Sequence, residues 1–169
     1  MDAAELRAMQ APIKERYKED PSAAVITLKA KGTTDTEGLT CKVETGRALA
    51  VAGLHPATGG SGLELCSGDM LLEALVACAG VTLKSVATAI EVPLKKGIVY
   101  AEGDLDFRGT LGVSKEAPVG FEEIRVRFEV ETDAPQDKLD LLLKLTERYC
   151  VVYQTIRNGP KVSVNMKRI

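Results

Sequence analysis

The chain has 169 residues, 45% of them apolar and 27% charged, with a formal net charge of −2. That length suits one domain with a sizeable core, and the near-neutral balance gives no electrostatic reason to expect nucleic acid as a partner. Four cysteines without a CxxC pair, and a lone histidine, His55, argue against a disulfide framework and against a metal site.

The first twenty residues are charged throughout and do not read as a signal peptide. The most apolar segment, 70–90, is interrupted by Glu73 and Lys84, so no uninterrupted apolar run reaches membrane-spanning length. These features predict a cytoplasmic protein with no membrane partner. Residues 3–17 predict a helix, because Leu6, Met9, Ile13 and Tyr17 recur at spacings of three and four, with Pro12 breaking or kinking it. Residues 23–32 read as a strand ended by Gly32. Residues 38–53 hold a second strand and then a third, turning at 45–46. Residues 53–69, rich in glycine, proline and serine, read as a loop. Ser67 would cap the next helix and Asp69 would sit in its first turn.

A long helix is predicted over 68–90 and stopped by Pro93. Leu72, Val76, Leu83, Val86 and Ile90 form one aliphatic side, and so broad an apolar circumference marks a central helix packed on two sides. Two alternating strands follow. Val99, Ala101, Leu105 and Phe107 face inward against Glu102, Asp104, Asp106 and Arg108. Phe121, Ile124, Val126, Phe128 and Val130 then face inward after an early slip. Residues 134–150 read as a helix with Pro135 near its start, and 161–169 as a closing strand. The order ββ(β)–α–ββ–α–β is an α+β pattern in a single domain over 1–169.

Cys78 lies inside the long helix among small residues, and Cys150 ends a helical stripe of Leu139, Leu143 and Thr146. Free cysteine is among the most buried residue types, so both thiols could be plain core. If the two helices flank one sheet they could also meet as a redox pair. Cys41, in an alternating strand, and Cys66, in the loop, read as structural.

The segments "CSGDMLLEALVACAGVTL", "AEGDLDFRGTLGV", "GFEEIRVRFEV" and "LLKLTERYCVVYQTI" resemble, in order and separation, the OsmC/Ohr family of hydroperoxide-reducing proteins. The resemblance covers residues 22–169 and leaves 1–20 as an N-terminal helical extension. It implies two long central helices packed between curved antiparallel sheets, in an intertwined homodimer. It further implies a thiol-dependent peroxidase acting on organic hydroperoxides in oxidative-stress defence. Cys78 is similar to the attacking thiol and Cys150 to the resolving thiol, with no cofactor and with an external dithiol reductant such as a lipoyl protein or a thioredoxin-like protein. The family's usual glutamate position, ten residues before the first cysteine, is Gly68 in this chain. Asp69 and Glu73 stand nearby, although ideal helix geometry turns both about 140–180° away from Cys78. Arg47, Asp69, Glu73 and His55 are the candidates for stabilising or orienting the thiolate, and Arg108 and Arg148 are two further cations. The alternative is an OsmC-like dimer that binds a small apolar ligand and turns over no peroxide.

Overall fold

The computed structural model describes residues 3–34, 41–43, 52–63 and 65–168. Helix α1 spans Ala3–Glu19. Pro12 lies inside it without ending it, so of the break or kink expected at that residue the break does not occur. Pro12 and Ala8 are both exposed, so the carbonyl left without its intrahelical donor faces water. The side chains of Leu6 and Met9 lie outside the described residues. Tyr17, lower on the same predicted stripe, is fully buried.

Strand β1 (Val25–Thr34) leads to β2 (Cys41–Val43), and a short β3 (Ala52–Gly53) pairs in parallel with β4 (Leu65–Cys66). The turn expected at 45–46 and most of the third strand lie outside the described residues, as does Arg47. Helix α2 follows over Ser67–Ala89. Its cap is Cys66, not the expected Ser67, and Cys66 lies on β4 instead of in a plain loop. The helix ends where Glu91 adopts φ 56°, with the Val92 N–H returning to the Ala87 carbonyl at 2.8 Å. By length and composition α2 could cross a membrane. In this fold it packs against β1 and β5 on one side and against the C-terminal helices on the other.

Strand β5 (Lys96–Asp106), helix α3 (Phe107–Thr110) and strand β6 (Phe121–Glu131) complete a four-stranded antiparallel sheet of order β2-β1-β5-β6. The early slip in β6 is a register shift opposite Asp104 and Leu105. Phe121 lies so close over Gly103 there that a Cβ on the glycine would meet the ring at 2.5 Å. Val99 and Ala101 are fully buried, and Glu102 and Asp104 form ion pairs with Arg125 on the other face. Asp106 departs from the expected outward face: it is buried, caps α3 and grips Arg108 through both carboxylate oxygens.

Helix α4 (Gln136–Tyr149) starts after Pro135 and ends at Cys150, where a new helix, α5 (Val151–Asn158), begins. The second long helix is therefore two helices broken at the cysteine. Leu142 and Thr146 form the buried stripe of α4, while Leu143 is exposed. Residues 161–168 form no strand. Val162, Val164 and Met166 are almost wholly exposed, so their alternation finds no ladder partner among the described residues.

Candidate functional site

Cys150 sits at a backbone break. Its φ and ψ of −71° and 106° are extended, so one residue ends α4 and opens α5. Its N–H still donates to the Thr146 carbonyl at 3.0 Å, and its carbonyl accepts the Gln154 N–H at 2.9 Å. The side chain is turned inward and is 1% exposed. Across from it is the middle of α2, where Leu75, Val76 and Ala79 are buried and Cys78 is half-buried against the same core.

The two thiols meet. Burial pushes the Cys150 thiol up to about 11, and the neighbouring Cys78 side chain pushes in the same direction through hydrogen bonding and charge. The backbone N–H groups of Tyr153 and Val152, at the start of α5, oppose the rise. Both sulfurs are free thiols, as is Cys66. A protonated, enclosed Cys150 beside a more open Cys78 is suited to a two-step exchange in which the second thiol waits for the first. A cavity of about 440 Å³ reaches Cys150, with Leu75, Ala79, Ile124, Val126 and Phe128 in its apolar wall.

The other candidates collect elsewhere. His55 stands on the loop before α2. Its Nδ1 accepts the Ala57 N–H at 3.0 Å, which leaves Nε2 to carry the proton of a neutral ring. The ring stacks on Phe107 with centroids 4.9 Å apart. Its carbonyl accepts from Thr58 N–H at 2.8 Å, Thr58 Oγ1 at 2.9 Å and Gly60 N–H at 3.1 Å. The fully buried Tyr17 of α1 donates its hydroxyl to the Ala57 carbonyl at 2.7 Å, which ties the N-terminal helix to this turn.

Asp69, in the first turn of α2, interacts electrostatically with His55. Burial raises the Asp69 carboxyl and the His55 charge partly offsets this, while burial lowers His55. Glu73 is raised by burial and by the like charge of Asp69. His55, Asp69 and Glu73 thus interact with one another electrostatically. No described contact joins the three to the thiol pair, and the half-turn offset along α2 accounts for that separation.

Three of the described arginines have partners of their own. Arg108 is held by Asp106, Arg148 lies over Tyr149 at 5.4 Å, and Arg127 pairs with Glu129 and covers Tyr100. Arg108, a candidate cation from its place at the end of a strand, is claimed by the carboxylate two residues earlier. Among the described residues no group of three histidine, cysteine or carboxylate side chains is placed to hold a metal ion. The Thr146 side chain, missed as a site residue, is buried beside Cys150 and donates to the Leu142 carbonyl at 2.7 Å. Only its place on the stripe before the cysteine marks it in the sequence.

A family model described as OsmC-like protein matches residues 59–165, which contain Cys78 and Cys150 as well as Cys66. No curated protein matches. Among solved structures, an OsmC-like hydroperoxide resistance protein from Jannaschia sp. CCS1 superposes with a TM-score of 0.62 at 14% identity, over 86% of this chain and 95% of that one. At that identity the likeness speaks to the fold, and the fold agrees with the family match. The chain belongs to the OsmC-like family.

Proposed function

We propose that the protein is a thiol-dependent peroxidase that reduces organic hydroperoxides to alcohols. The observation that carries this reading is the pairing of Cys78 with Cys150 from separate helices, with Cys150 on the wall of a largely apolar cavity. In the proposed cycle the Cys78 thiolate attacks the outer peroxide oxygen. A sulfur–oxygen bond forms, the oxygen–oxygen bond breaks, and the alkoxide leaves and takes a proton to become the alcohol. Cys150 then attacks the Cys78 sulfenic acid. A disulfide forms, and hydroxide leaves with the Cys150 proton as water. An external dithiol restores both thiols and is itself oxidised to a disulfide.

The apolar wall favours an organic peroxide over hydrogen peroxide, since burying its hydrocarbon contributes about 0.8 kcal/mol per methylene. The family and the hydroperoxide resistance protein of like fold support the same reading. Asp69, Glu73 and His55 stand together at the start of α2, apart from the described contacts of the thiol pair, and Arg47 is a candidate cation.

The working form is proposed to be a homodimer in the cytoplasm. Val81, Leu141, Tyr149 and Val151 leave apolar surface open on α2, α4 and α5, and the C-terminal alternation has no strand partner among the described residues. A second copy would cover both. The test is hydroperoxide consumption in the presence of a dithiol by the intact protein, Cys78→Ser and Cys150→Ser. Loss of turnover in both variants supports the reading, and full turnover in Cys78→Ser would end it.

A further inference from the structure

A second cavity, of about 630 Å³, adjoins the one at Cys150 and extends toward Phe121, Glu122, Ile156 and Arg157. Leu75, Ile124, Val126 and Tyr153 belong to the walls of both. Leu75 is a buried floor residue, and Ile124 and Val126 share one face of β6. Tyr153 differs from these three. It stands one turn beyond Cys150 on α5, is half-buried, and carries the largest side chain of the four. Its hydroxyl accepts a long bond of 3.4 Å from Arg157 Nη1, and that guanidinium lies 6.0 Å from the ring centre. The ring is therefore tethered at its outer, solvent-facing end, while its inner edge borders the chamber that contains the thiol.

We infer that Tyr153 is a specificity-determining residue that partitions one apolar channel, running from solvent to Cys150, into an inner and an outer chamber. The occupant suited to such a channel is an unbranched hydrocarbon chain. The wall the two chambers share is carbon apart from the Tyr153 hydroxyl, and charged residues border each chamber away from it, Arg127 and Glu147 at the inner one and Glu122, Glu123 and Arg157 at the outer one. Tyr153 thereby sets how long a chain the site accommodates before the chain must turn out to solvent. For the identity of the ligand this rests on the proposed peroxidase reading. The channel itself does not.

The experiment measures displacement of a fluorescent apolar probe by unreactive n-alkyl alcohols of increasing length, for the intact chain, Tyr153→Phe, Tyr153→Leu and Tyr153→Ala. Affinity should rise about fourfold per methylene while carbon is being buried, then level off. The levelling length should be the same in the intact chain and Tyr153→Phe, and longer in Tyr153→Ala and Tyr153→Leu. The leucine variant keeps an apolar side chain if the alanine variant folds poorly. One levelling length in all four proteins, or no alcohol binding in any, overturns the inference. Because an alcohol has no oxygen–oxygen bond, a protein that binds the series yet leaves hydroperoxides intact keeps the channel and loses the peroxidase.

Discussion

Cys150 should be the slower thiol of the pair, and its protonation should be visible in stability as well as in reactivity. Burial and the Cys78 neighbour carry it from an ordinary 9.0 to about 11. At pH 8 a thiol of pKa 9 is about one-tenth thiolate and a thiol of pKa 11 about one-thousandth, so alkylation by iodoacetamide should be about a hundredfold slower than for an exposed cysteine. The same shift is linked to folding. A raised cysteine pKa means that the folded protein favours the neutral thiol. The stabilisation is fully present below pH 9 and is lost as pH rises through 11. Two pKa units at 1.36 kcal/mol each bound the effect at about 2.7 kcal/mol, of which about 2 kcal/mol is gone by pH 11. The assay is urea unfolding with reductant at pH 8 and pH 11, for the intact chain and Cys150→Ala. The difference between the two cancels the tyrosines and lysines that titrate over the same range. The stability advantage of the intact chain should shrink by about 2 kcal/mol. An advantage independent of pH, together with alkylation at the rate of an exposed cysteine, would refute the burial argument.

Three further outcomes are expected. Tyr17→Phe leaves the buried Ala57 carbonyl without its donor and should cost about 1–2 kcal/mol in urea unfolding, with helix content unchanged by circular dichroism. Asp106→Asn weakens the paired contacts to Arg108 and should lower the melting temperature by several degrees at neutral pH. The Arg108 hydrogen bonds hold the Asp106 carboxyl below its ordinary 3.8, so its stabilisation is present above that pH and lost as pH falls beneath it. The asparagine variant should lack that acid-side loss when melting is followed from pH 6 to pH 2. Val164→Asp places a charge in the exposed C-terminal alternation, and sedimentation should show a dimeric parent and a monomeric variant.

The long elements were legible because their periodicities are strong. The aliphatic stripe of α2 and the alternation of β5 and β6 read directly, to within a residue or two of the observed bounds for α2. Asp106 was misread because a strict alternation cannot foresee a carboxylate that turns inward to cap α3 and hold Arg108. Helix α1 passes through Pro12 because the freed carbonyl is on the wet side, which a sequence pattern does not reveal. The C-terminal alternation was read as a strand, yet a strand needs a neighbour, and the described residues supply none to residues 161–168. At the site, the stripe ending in Cys150 was visible, but the break that lets one residue close α4 and open α5 was not. The meeting of the two thiols depends on how α4 and α5 pack on α2, a contact between segments 72 residues apart that no local pattern encodes. The separation of Asp69 from Cys78 follows from helix geometry alone, and the structure adds its neighbour His55.

The most direct measurement is peptide mapping by mass spectrometry after one equivalent of an organic hydroperoxide is added to the fully reduced protein. A single Cys78–Cys150 disulfide, reversed by a dithiol and accompanied by unmodified Cys66, is the predicted result. Free thiol at both positions after the peroxide has been offered would contradict the account.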